Sequence, residues 1–185
     1  MKSFKFFRQL SSKLSHTIFF IGVVFLLYSV LMKYVDHSSR WMLYFVLLLA
    51  IVKIVFFIFF TFRQMEMVIS SSSFIGEILF TFGLLVMLIS FSFATDFSCL
   101  SEFDKHSFEG VSNEENLSFW SRLFDYFYLS VITFTSLGYG DIVPFSIPAK
   151  LLVMMEVIMS FILVIFGISN IKTIHNKKQN NERLL

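Results

Sequence analysis

Residues 133–144 read TFTSLGYGDIVP, and the fold turns on how that stretch is read. Two glycines, the hydroxyls of Thr133, Thr135 and Ser136, and the Asp141 carboxylate sit between two strongly apolar runs. The chain around them has 185 residues, is 56% hydrophobic and 15% charged, and contains 27 phenylalanines. Soluble domains of this length carry more charge, so composition places the chain in a bilayer. A net charge of +2 is too small to imply a nucleic-acid partner.

Crossing the roughly 30 Å hydrocarbon core takes about 20 apolar residues as a helix. Four runs reach that length: Leu14 to Met32, Trp41 to Phe62, Phe74 to Ala94 and Ile147 to Ile171. Lys2, Lys5, Arg8 and Lys13 before the first run also fit a signal peptide. The run is long and no small-x-small cleavage site follows, so it is expected to remain as a span. Residues 1–13 then form a cytoplasmic or interfacial segment, residues 14–62 a two-helix membrane region, and residues 172–185 a cytoplasmic tail too short to fold alone.

Lysine and arginine mark cytoplasmic ends. They cluster before the first run, at Arg63, and at Lys172, Lys177, Lys178 and Arg183, so both termini are expected in the cytoplasm and the cell membrane is the expected location. The 95–120 connection carries Asp96, Glu102, Asp104, Glu109, Glu114 and Glu115 against Lys105. It is expected outside, as a vestibule that concentrates cations. Cys99 is the only cysteine, so no disulfide forms within a chain.

The run from Phe124 to Phe134, FDYFYLSVITF, is apolar but about half the spanning length, which suits a re-entrant or buried helix. It leads straight into the glycines. Non-helical backbone at membrane depth is tolerated only where protein buries it or where it lines a watery path. The chain is therefore expected to descend as a short helix and return as an extended strip. If Ser136, Leu137, Gly138 and Tyr139 turn their carbonyl oxygens toward an axis shared by four chains, the oxygen rings replace the hydration shell of a dehydrated cation. Carbonyls that face one way need positive φ, which Gly138 and Gly140 accept. Leu137 and Tyr139 then point away from the axis and pack against the short helix, whose carboxyl end favours a cation.

Thr133-x-Thr135-Ser136-Leu137-Gly138-Tyr139-Gly140-Asp141 resembles the signature sequence of the potassium-channel pore-loop family. DYFYLSVIT resembles that family's pore helix, and GDIVPFSIPAKLLVMMEVIMS its filter exit and inner helix. The resemblance implies an all-α membrane protein with four transmembrane helices, a re-entrant pore helix and a selectivity-filter loop, assembled as a homotetramer in lipid. It assigns a pore domain to residues 74–171, with outer helix 74–94, extracellular loop 95–120, pore helix 121–135, filter 136–140 and inner helix 147–171. It implies potassium ions held at Ser136, Leu137, Gly138 and Tyr139, with Gly140 completing the filter. Thr133, Thr135 and Asp141 would support the filter, and Ser160, Phe161, Val164 and Ile168 would line the inner pore and gate. Potassium is implied as permeant ion; no cofactor and no enzymatic activity follow.

Ser136 and Leu137 stand where that family usually has threonine and valine or isoleucine. The retained hydroxyl makes Ser136→Thr an expected conservative change. The family's acid behind the filter is missing at Ile132, so Asp141 is expected to pair with Tyr126 or Tyr128. Glu156, inside the fourth run, is expected as a structural partner of the pore helix, because a carboxylate at that depth is costly and faces inward. Lys53, midway along the second run, is expected to snorkel to the interface or to be solvated within the bundle, with an ion pair to Glu156 as the alternative.

The first three runs lack the repeated arginines of a voltage sensor. A nonselective cation channel or a non-conducting regulatory subunit would share the same plan. From another class, an intramembrane aspartyl protease fits the Gly-x-Gly-Asp pattern at residues 138–141. That chemistry needs a second aspartate facing the first, and Asp36, Asp96, Asp104 and Asp125 all read as lying in or beside outer loops.

Overall fold

The computed structural model describes residues 19, 21–24, 26–28, 30, 41–71, 75–111 and 118–183, with the backbone alone at 42, 61–62, 64–71, 75, 77–78 and 168–183. Segment 1–13, much of the expected first span and the middle of the outer loop lie outside these residues. The described part of residues 19–30 is helical and buries Ile21, Val24 and Tyr28, which share one helical face. After it come α1 (Trp41–Ser71), α2 (Ile75–Phe103), β1 (Phe108–Glu109), α3 (Phe119–Phe134), β2 (Val143–Pro144) and α4 (Ile147–Arg183).

Three of these helices are long and apolar enough to cross a membrane, at Leu43–Phe60, Leu79–Phe103 and Ile147–Gly167. Their outward faces remain apolar: Leu48, Val52, Val55 and Phe59 on α1 and Met154, Ile158 and Ile165 on α4 are exposed. A helix that is hydrophobic all round suits lipid rather than water.

The outer helix, expected to stop at Ala94, continues to Phe103, so residues 95–103 are helix rather than loop. The difference turns on Asp96, which the charge pattern assigns to the acidic 95–120 connection. Asp96 is instead fully buried, and partners from other helices engage its Oδ1. Residues 92–100 are consequently all buried.

Helix α3 spans 16 residues, about 24 Å at 1.5 Å per residue, less than the hydrocarbon core. Ser118 caps it: its backbone is extended and its Oγ accepts from the Ser121 amide at 3.3 Å. Its buried face, Leu123, Tyr126, Leu129, Ser130, Ile132 and Phe134, packs on α2 and α4. Phe91 of α2 meets Phe127 of α3 at 6.3 Å, and Phe108 of β1 lies between Phe97 of α2 at 5.4 Å and Tyr126 of α3 at 5.3 Å.

Helix α4 begins where Ser146 Oγ accepts from the Ala149 amide at 3.3 Å, with Pro148 in the first turn, where its missing N–H is harmless. It then runs unbroken for 37 residues, so the segment expected as a tail continues the inner helix. Helix α1 packs against both α2 and α4. Gly167 lets α4 approach α2 closely, since a β-carbon there would stand 2.8 Å from the Phe82 ring.

Candidate functional site

The strip after α3 starts from a tightly capped helix end. Thr135 is the C-cap, Ser136 follows with φ 58°, the Ser136 amide donates to Thr133 O at 3.0 Å, and the Leu137 amide donates to Ile132 O at 2.9 Å. These two bonds and the left-handed residue between them make a Schellman motif. Glycine usually holds that left-handed position; here serine does. The Thr135 hydroxyl adds a bond to Val131 O at 2.8 Å, so the carbonyls of Val131, Ile132 and Thr133 are all engaged.

Positive φ then recurs at alternate positions: 58° at Ser136, 52° at Gly138 and 78° at Gly140. Ser136 is the one non-glycine residue with positive φ among the described residues. An ordinary strand points successive groups to opposite sides. Reversing the sign of φ at every second residue breaks that alternation, as a strip whose carbonyls all face one way would require. Leu137 and Tyr139, expected to pack against their own short helix, are instead 58% and 67% exposed. Within one chain these struts have no wall to lean on.

Beyond the strip, Asp141 Oδ2 accepts a hydrogen bond from Tyr128 Oη at 2.7 Å. Tyr126, the other tyrosine considered for that role, is buried against Phe108 instead. The bond holds the Asp141 carboxyl below its usual range and pushes the Tyr128 hydroxyl up to about 12.

Residues 107–110 wrap the same turn. β1 pairs antiparallel with β2, Phe108 opposite Pro144 and Glu109 opposite Val143, and Ser107 O accepts from the Phe145 and Ser146 amides at 2.8 and 3.3 Å. Gly110, at φ 87°, lies directly on the Asp141 carbonyl. Sequence reasoning missed Ser107 and Gly110; the only signal was a glycine inside an acidic loop.

Between α3 and α4, Ser130 Oγ donates to Glu156 Oε1, and both side chains are fully buried. Glu156 thus grips the middle of α3. Ser160 was expected in the cavity with Phe161, Val164 and Ile168, but it is buried and its Oγ donates to Val157 O at 2.8 Å. It shares the inward stripe of Glu156, Leu163 and Gly167, while Phe161 and Val164 face outward; the Ile168 side chain lies outside the described residues.

Lys53 does not snorkel and does not pair with Glu156. It is buried, and its Nζ donates to Asp96 Oδ1 at 2.6 Å, Ser92 Oγ at 2.9 Å and Ser92 O at 3.0 Å. Tyr28 Oη donates to the same Asp96 oxygen at 2.5 Å.

Residues 83–175, half of the chain, match the family described as "Ion channel". No curated protein and no solved structure matches the chain.

Proposed function

Because the chain belongs to this ion-channel family, we propose that it is the pore-forming subunit of a potassium-selective channel, with residues 136–140 as its filter. The observation that carries the reading is the alternation of left-handed φ at Ser136, Gly138 and Gly140, directly after a capped helix shorter than the membrane. Carbonyls of Ser136, Leu137, Gly138 and Tyr139 brought to one side by that alternation act as ligands that replace the hydration shell of K+.

One chain supplies one strip, and a ring of oxygens needs four. The exposure of Leu137 and Tyr139 supports the same count, because copies around an axis would supply the walls their own chain lacks. In this reading each homotetramer subunit has four transmembrane helices, the first near residues 14–32, with both termini in the cytoplasm and the assembly in the cell membrane. Outer helix α2 and inner helix α4 enclose the pore, Thr133 and Thr135 support the filter, and Asp141 fixes its mouth through Tyr128. Val164 and Ile168, one turn apart, form an apolar constriction that gates by dewetting.

An aspartyl protease is disfavoured by partners: Asp96 is engaged by Lys53 and Tyr28, and Asp141 by Tyr128, so neither is free to share a proton with the other. The test is reconstitution of the purified protein in liposomes, with potassium flux recorded and the mass of the detergent-solubilised complex measured. Flux through a four-chain species is expected. A monomer or dimer as the only species, or no flux, would count against the reading.

A further inference from the structure

The two helices before the pore domain have no role in a filter made by residues 136–140, yet among the described residues a buried polar cluster joins them to the pore. Tyr28, Lys53 and Asp96 come from three different helical segments and meet at one carboxylate oxygen. Lys53 also holds the Ser92 hydroxyl and carbonyl one turn earlier on α2. A buried lysine and aspartate are retained only when each satisfies the other, and removing one leaves an uncompensated charge in the membrane.

Where Asp96 sits along α2 matters more than the pair's strength. Seven residues after it, α2 ends at Phe103, and the chain turns at once into β1, the strand bonded to β2 just past the filter. Phe97, adjacent to Asp96, contacts Phe108 of β1, which in turn contacts Tyr126 of the pore helix. Arg122 of α3 reaches Glu102 of α2 at 3.1 Å. Ser107 and Gly110 then lie against Phe145, Ser146 and Asp141. Helix, edge-on and tilted ring contacts and a two-residue bridge thus link Lys53 to the filter exit.

We propose that the N-terminal helix pair is a built-in brace of the filter: by holding Asp96, Lys53 and Tyr28 fix the outer end of α2, and through β1 they keep the segment from Asp141 to Ser146 in place. Lys53, Asp96 and Tyr28 are positioning residues, and none of them touches the ion. The proposal rests on residues 136–140 being the conducting strip, but its test does not require conduction.

The test is hydrogen exchange at the Phe145 and Ser146 amides in the full-length reconstituted protein. The triple variant Tyr28→Phe/Lys53→Met/Asp96→Leu removes the cluster without leaving a charge unpaired in the membrane. It is expected to assemble as wild type but to exchange at these two amides roughly tenfold faster, the size of a typical coupling between sites. Its ratio of potassium to sodium flux is expected to fall as well, which a purely structural contact would not change. If the triple variant does not assemble, Tyr28→Phe alone decides, with an expected increase of about twofold for the loss of one hydrogen bond. Wild-type exchange in an assembled triple variant, or in Tyr28→Phe when it decides, overturns the brace. A wild-type protein that exchanges slowly but carries no potassium would overturn the conducting reading, and the cluster would then brace the segment from Asp141 to Ser146 without bracing a filter.

Discussion

Gly110 meets Asp141 so closely that a β-carbon on the glycine would stand 1.8 Å from the Asp141 carbonyl oxygen. The overlap is with backbone, which cannot swing aside as a side chain would. Gly110 also has φ 87°, a conformation other residues adopt only at a cost. Gly110→Ala should therefore separate β1 from β2 and destabilise the outer mouth by about 1–3 kcal/mol. Thermal unfolding of the assembled complex and the decay of potassium flux should both register the loss. A variant with wild-type values in both would show that the contact is dispensable.

Ser136 gives the sharpest difference between chemistry read from the side chain and chemistry read from the backbone. The hydroxyl alone makes Ser136→Thr conservative; φ 58° at this residue reverses that expectation. A β-branched residue in the left-handed region is strained, while glycine is at ease there. Ser136→Thr should cost about 1–2 kcal/mol and reduce flux, and Ser136→Gly should be neutral or stabilising. Paired measurements of unfolding temperature and flux check the order. Threonine outperforming glycine in both would mean that the hydroxyl, not the cap, governs the position.

The Tyr128–Asp141 bond predicts a pH response at the outer face. Asp141 is depressed, so the bond's contribution is complete above the ordinary carboxylate range and is lost only as pH falls through a value below that range. Tyr128 is raised to about 12, so on the alkaline side the contribution is complete below the ordinary tyrosine value and fades near pH 12. Flux should hold as external pH falls through the ordinary carboxylate range. In Tyr128→Phe it should fail at higher pH than in wild type. Identical acid profiles would exclude a role for the bond.

Ser130 and Glu156 should behave as a unit. Glu156→Leu strands a buried hydroxyl and Ser130→Ala removes the carboxylate's hydrogen-bond donor, so each single change should cost about 1–3 kcal/mol. Ser130→Ala/Glu156→Leu should cost less than the sum, because no polar partner is left behind. Chemical denaturation of the four variants gives the cycle, and strict additivity would show that the two residues act independently.

Three of the apolar runs and the left-handed backbone at Gly138 and Gly140 were legible in the sequence because run length and glycine spacing are local properties. Contacts between helices were not. Asp96 read as a loop charge because nothing beside it in the chain announces Lys53, 43 residues earlier, as its partner. Lys53 read as a snorkelling side chain for the same reason. Glu156 read as a partner of the pore helix, yet Ser130 could not be singled out, since a serine in an apolar helix has no period of its own. The family resemblance, aligned from Asp141, places Ser160 on the pore face. Register along the helix follows from such an alignment, but rotation about its axis depends on packing, and packing turns Ser160 inward with Glu156. The left-handed Ser136 stayed hidden because serine gives no sign of positive φ, while the adjacent glycines advertise theirs.

The most direct test of the central claim is the reversal potential of the reconstituted wild-type protein with potassium on one side and sodium on the other. Carbonyl rings formed by residues 136–139 predict a potential displaced far toward the potassium equilibrium value, because those rings compensate the lost hydration of the larger ion better than that of the smaller. A potential near zero, with current flowing, would contradict potassium selectivity and leave a nonselective cation pore.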